Sequence, residues 1–230
     1  MRHDIQADPT FGVEPLTAVM VGEWYLYSRS AHRDSQVIEA YRQLQVETDH
    51  LFTLLTRDAC HWAVRVVFTR CTQPYESDEE LIFAVRASGT LEMTSAAIAG
   101  ERLHPLFDCE LGGAFDRFRA VHDLIGHAWC GYGFDLDDEC AAWSAQDRLH
   151  SGLARFALAT ELYGVNAARG IVGEAPDLRA LLLAPSTSSE LPQAHWGLSR
   201  TTSAALLSSR SPRKRGCRSR ASLVHSANPT

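Results

Sequence analysis

No stretch of eighteen or more apolar residues occurs in this chain of 230 residues, so no segment has the length and composition of a membrane-spanning helix. No C-x-x-C pair occurs among the six cysteines (Cys60, Cys71, Cys109, Cys130, Cys140 and Cys217), which argues against a thiolate zinc site or a dithiol redox motif. The simplest reading is free, mostly buried thiols in a reducing compartment. There is no G-x-S-x-G elbow and no cysteine in a nucleophile motif, so serine or cysteine nucleophilic catalysis has no support. Phosphate-binding loops and dinucleotide fingerprints are also missing. The first residues, Met1-Arg2-His3-Asp4-Ile5, are polar and lack the basic start and apolar core of a secretory signal, from which a cytoplasmic location is expected.

What is present fits a globular protein: 45% hydrophobic and 22% charged residues, enough to build one sizeable core. Charge is unevenly spread. Residues 187–230 carry seven bases and one acid, a net +6, which leaves the rest at −12. An acidic body does not suit nucleic acid, so any such binding is expected only from the basic tail. The Ser/Arg-rich composition after Pro185 predicts disorder, and the abrupt change resembles the out-of-frame end of a coding sequence. The expected organisation is one metal-binding domain over residues 1–186, followed by that tail.

The expected fold class is α+β and mostly helical, with a small N-terminal sheet packed on a C-terminal helical core. A mixed apolar segment at 16–29 has no clear period. Ser35 caps a helix to about Arg57, with one apolar face at Val37, Ile38, Tyr41, Leu44, Leu51, Leu54 and Leu55. Trp62–Thr69 and Thr90–Thr94 read as strands around a short helix that opens on the capping box Ser77-Asp78-Glu79-Glu80. Residues 95–114 read as a long loop. Helices follow over 115–130, 138–149 and 152–168, with a last one from Pro176 to Leu183.

The chemistry concentrates in Val121-His122-Asp123-Leu124-Ile125-Gly126-His127. Two imidazoles and one carboxylate are the minimum set for a catalytic metal with open positions. A spacing of five places His122 and His127 about 140° apart on a regular α-helix. Both can face one ion only if the helix widens near Gly126 into a π-turn, a distortion common at functional sites, or if one histidine lies at the helix end. The competing reading is a histidine packed in the core. The third ligand is expected to be Glu161, beside a buried stripe where a carboxylate needs a partner or a metal. A salt bridge to Arg117 or Arg155 is its structural alternative, and Glu139 is the rival ligand, placed where a helix N-terminus favours an acid anyway. Asp123 and Asn166 are expected to steady the imidazoles, with Asp116 and His104 ranked behind them.

His122-Asp123-Leu124-Ile125-Gly126-His127 is similar to the H-E-x-x-G-H block of the pterin-dependent aromatic amino acid hydroxylases. The resemblance covers about 50 of the 230 residues. It implies that His122, His127 and Glu161, the last in Thr160-Glu161-Leu162-Tyr163-Gly164, bind non-haem iron. Asp123 stands where that family has glutamate, and its pterin-contacting segments are not placed on this chain. The metal site therefore transfers rather than the pterin. F-R-x-V-H-D and T-E-x-x-G-x-N also resemble a block in uncharacterised bacterial and phage proteins, which carries no activity with it. The expectation is an Fe(II)-dependent oxygenase acting on a small molecule, an aromatic one being the candidate the resemblance implies, with Zn(II) or Mn(II) as alternative ions. The competing classes are a divalent-metal hydrolase, since His122-Asp123 also resembles the doublet of the HD phosphohydrolases, and a helical protein without catalysis.

Overall fold

The structure is a computed structural model that describes residues 15–57, 63–70, 74–96, 104–107 and 110–183. The basic tail, the first fourteen residues and parts of the 95–114 segment lie outside these, so the expected disorder after Pro185 is not addressed by it.

The protein is mostly helical, with one small sheet. Helix α1 (Pro15–Tyr27) forms from the segment whose period was ambiguous. It is apolar on several sides, which blurs a single stripe. Gly22 lets it cross α7 (Val165–Val172) closely, because a Cβ there would lie 2.6 Å from the Ala167 carbonyl oxygen. Helix α2 (Ser35–Thr56) buries Val37, Ala40, Tyr41, Leu44, Thr48 and Leu55. Its cap is Asp34 rather than Ser35: the Asp34 carboxylate accepts the Gln36 N–H at 2.7 Å and the Val37 N–H at 3.3 Å. Aspartate offers an ionised acceptor to the dipole end, which a hydroxyl one residue later does not.

Strand β1 (Arg65–Thr69), helix α3 (Asp78–Ser88) and strand β2 (Thr90–Thr94) form a parallel β-α-β unit in the register Arg65↔Thr90 to Thr69↔Thr94. Ser77 Oγ accepts the Glu80 N–H at 3.2 Å, and Gly89, at φ 63°, ends α3 in the left-handed region. Leu81 and Val85 of α3, and Leu91 and Met93 of β2, join Val121, Leu124 and Ile125 in one buried cluster. That burial, worth roughly 1.5–3 kcal/mol per large side chain, ties the sheet to the site-bearing helix.

Helices α4 (Ala114–His122), α5 (Leu136–Asp147), α6 (Ala154–Ala159) and α7 supply the rest. The run predicted as 115–130 continues from α4 through a π-helical segment, π1 (Asp123–Trp129). The run predicted as 152–168 is α6, a second π segment, π2 (Thr160–Gly164), and α7. The helix expected from Pro176 to Leu183 does not form. Residues 175–183 form neither helix nor strand, and their backbone bonds go elsewhere: Ala31 N–H to the Ala180 carbonyl at 2.8 Å and Leu183 N–H to Thr160 Oγ1 at 2.9 Å. Among the described residues no helix is long and apolar enough to cross a membrane.

Candidate metal centre

The five-residue step between the histidines is resolved by π1. A turn bonded from i to i+5 brings residues five apart onto one face, and Cys130 N–H donates to the Ile125 carbonyl, five back, at 3.1 Å. His122 closes α4 and His127 lies in π1. Their ring centroids are 4.9 Å apart and their planes nearly perpendicular. Widening the helix strands carbonyls at its end. Arg86 takes them, with Nε on the Ala128 oxygen at 2.7 Å and Nη2 on the Trp129 oxygen at 3.2 Å. Gly126 supplies the room: a Cβ there would lie 2.6 Å from Ala142 Cβ, so α5 approaches only a glycine. Gly126→Ala is therefore expected to destabilise by about 1–3 kcal/mol through overpacking and to weaken metal binding as α5 is displaced. Urea denaturation checks the first part, and a variant as stable as the parent would show that this contact yields freely.

Both imidazoles are deeply buried, His122 at 7% and His127 at 1% exposure. His127 Nδ1 donates to the Tyr132 carbonyl at 2.9 Å, leaving Nε2 as its lone-pair nitrogen. His122 Nδ1 lies 3.3 Å from Gln146 Oε1 and Nε2 lies 3.1 Å from Glu139 Oε2. Histidines that bind metals usually donate their other N–H to a protein acceptor in this way. A ring nitrogen of each histidine and a carboxylate oxygen of Asp123 all lie within 4.8 Å of one another. The edge of His127 is covered by Phe134, ring centroids 4.7 Å apart, and Phe134 is itself half exposed.

Charge in this pocket is balanced internally. Burial alone pushes the Glu139 carboxyl up, but the hydrogen bond and charge of His122 outweigh it and hold Glu139 below its usual range. Burial likewise opposes protonation of His122, yet Glu139, Asp123 and Gln146 raise it above its ordinary value of 6.5. Asp123 is pushed up chiefly by burial, against the pull of the two histidines. The signs define a window. The raised His122 stabilises fully below 6.5 and loses its contribution as pH rises through its folded-state value, while the depressed Glu139 stabilises above 4.5 and loses its contribution in acid. The metal-free protein is therefore expected to melt highest between those values and to lose stability as pH rises into the alkaline range. Glu139→Gln should flatten that loss in a series of thermal melts. Metal affinity should climb over the same rise, because an ion competes with the His122 proton.

The carboxylate ranked first in the sequence lies in a different cluster. Glu161, in π2, accepts the Tyr41 hydroxyl in a short hydrogen bond, and its Oε1 lies 3.0 Å from His104 Nε2. Leu106 N–H points at His104 Nδ1 at 3.4 Å, which makes Nε2 the protonated nitrogen. Tyr41 and Phe107 stand edge-on to the His104 ring at 5.0 and 5.7 Å. Burial first, and the Glu161 charge second, hold the Tyr41 phenol well above its usual range, so it remains a proton donor. The salt bridges weighed for Glu161 go elsewhere: Arg117 pairs with Asp49 at 2.7 Å and Arg155 with Asp147. Glu139 is the carboxylate that touches His122.

Among the residues expected to steady the imidazoles, Asp123 joins the histidine cluster itself. Asn166 sits half-buried in α7, and the bonds to the two imidazoles come from other residues. Asp116 instead gathers the Ala96 and Gly112 N–H groups at 2.6 and 2.9 Å together with the Ser95 hydroxyl. Gln146, Arg86, Tyr41 and the Tyr132 carbonyl were not singled out from sequence. Gln146 had a signal, since it lies seven residues, two helical turns, after Glu139 on one face of α5. Cys140 is no thiolate ligand: burial and two nearby acids push its thiol up to about 12. Compared with protein-family models, curated proteins and solved structures, the chain matches none.

Proposed function

We propose that this protein is a metal-dependent enzyme whose His122 and His127, with a carboxylate, hold one divalent ion. Iron(II)-dependent oxygenation of a small molecule is the chemistry this donor set fits best. The observation that carries the reading is the orientation of the two imidazoles. Each has its Nδ1 on a protein acceptor; His127 thereby keeps Nε2 for an ion, and His122 would present its Nε2 once the proton it shares with Glu139 is displaced. The distance from His122 Nε2 to Glu139 Oε2, 3.1 Å, also fits two neighbouring ligands, because atoms about 2.1 Å from one ion at a right angle are about 3.0 Å apart. Mixed imidazole and carboxylate donors with positions left open are the pattern of non-haem iron oxygenases, where the ion supplies the sites for O2 and a co-substrate. The protein's own contribution is positional. Gln146 and the Tyr132 carbonyl fix the imidazole tautomers, Arg86 holds the π-turn that pairs them, and Phe134 screens His127 from water.

A metal hydrolase is the second reading, favoured by Asp123. Its carboxylate lies with both imidazoles, and two histidines with an aspartate are a set that also suits Zn(II) or Mn(II) and an activated water. One experiment separates the two. Metal-free protein is loaded anaerobically with Fe(II), Zn(II) or Mn(II), and each form is assayed for oxygen uptake over a panel of small molecules and for hydrolysis of p-nitrophenyl phosphate and its bis-ester. Oxygen uptake coupled to product with Fe(II) alone supports the oxygenase. Hydrolysis with Zn(II) or Mn(II) supports the hydrolase. Failure to bind any of the three ions overturns both.

A further inference from the structure

Buried polar atoms almost always find a partner, and those that do not point to a ligand or a water. Two such atoms stand beside the histidine cluster. Trp143 Nε1 and Gln146 Nε2 are both buried with no hydrogen-bond partner among the described residues, in side chains only 6% and 0% exposed. Both are donors only. They lie on the face of α5 that also carries Glu139, at steps of four and three residues, which is one stripe of an α-helix. His122 lies along that stripe, with Nε2 on Glu139 at one end and Nδ1 on Gln146 at the other. Trp143 stands between the two on that stripe of α5. Its indole is held by stacking on Tyr163, centroids 5.2 Å apart and planes 14° from parallel.

From this we infer that Trp143 Nε1 and Gln146 Nε2 form an oxygen-acceptor subsite next to His122, which receives the carboxylate of the molecule that binds at the metal centre. The inference rests on the metal reading above for the identity of that centre. Two N–H donors and no acceptor select an acceptor-only group. A carboxylate satisfies both donors at once and makes charge-assisted bonds, about twice as strong as neutral ones. A nearby cation offsets the cost of burying its charge. The Gln146 carboxamide then serves two ends, with its oxygen on His122 and its nitrogen on the ligand.

Acetate is the probe, titrated calorimetrically into the full chain with and without Zn(II), with metal content measured for each variant. Trp143→Phe removes the N–H and keeps the stacking surface. It is expected to keep the metal and weaken acetate binding tenfold or more. Gln146→Leu should weaken acetate similarly and also loosen the metal, because it releases His122. If the zinc form binds no acetate, or binds it equally well in Trp143→Phe, the subsite is overturned while the metal reading stands. If no zinc binds, the metal reading fails, and the metal-free titration decides: acetate binding lost in Trp143→Phe keeps the subsite, and its absence in the parent removes it.

Discussion

His127→Ala should bind metal more than about 100-fold more weakly than the parent, since losing even an outer-shell partner of a ligand costs about 10–100-fold. His122→Ala should behave alike, because the two imidazoles converge only as a pair across π1. Asn166→Ala, whose side chain makes none of the bonds to either ring, should keep its metal. Metal content by elemental analysis on protein purified without a histidine tag is the measurement, and thermal melts of the metal-free forms separate loss of ligand from loss of fold. A variant lacking His127 that still carries one equivalent of metal would remove the centre proposed here. So would metal that disappears with Asn166 alone.

The second large effect separates the two carboxylates. Glu161→Ala leaves the Tyr41 hydroxyl and His104 Nε2–H buried without an acceptor. Leaving two buried donors unsatisfied costs about 1–3 kcal/mol each, which for a domain of this size lowers the melting temperature by roughly 10 °C. Metal content should be unchanged. Glu139→Ala is expected to reverse the pattern: a large loss of metal, and a smaller loss of stability because His122 can give up its extra proton. Glu161→Gln, which keeps an amide oxygen toward Tyr41, should recover much of the stability lost in Glu161→Ala. If Glu161→Gln loses metal and Glu139→Gln retains it, the ligand is Glu161, and the His104–Tyr41 cluster must rearrange around the ion.

Two observations link the clusters to the helix geometry. Each sits on a π segment, and each segment has its own compensation for the widened turn. In π1 the stranded carbonyls go to Arg86. In π2 Thr160 Oγ1 lies 3.0 Å from both the Phe156 and the Leu181 carbonyls and accepts the Leu183 N–H. A threonine bonded back to its own helix loosens the local ladder, and here it also anchors residues 181–183. That is the physical reason Ala180–Leu183 is not helical: its backbone is already committed to Thr160 and to the α1–α2 connection. Local propensity after Pro176 favoured a helix, and a tertiary partner prevailed.

The sequence by itself determined the parts that depend on spacing along the chain. The β-α-β unit followed from the capping box at Ser77, the stop at Gly89 and the β-branched strand residues, all local effects. A π-turn near Gly126 was one of two ways for histidines five apart to share a face, the other being a histidine at the helix end, and the structure has both, with His122 closing α4 and His127 in π1. Tertiary structure alone decided which carboxylate meets which histidine. Glu161 lies beside an apolar stripe and Glu139 at a helix N-terminus, but nothing along the chain records that Tyr41 and His104, from distant segments, meet at Glu161 while His122 lies along α5. Hydrogen-bond partners of buried polar groups are set by packing across elements, where a shift of one helical turn changes the pairing. The face of α5 carrying Glu139, Trp143 and Gln146 was periodic in the sequence, but its chemistry became visible only when His122 was placed against it.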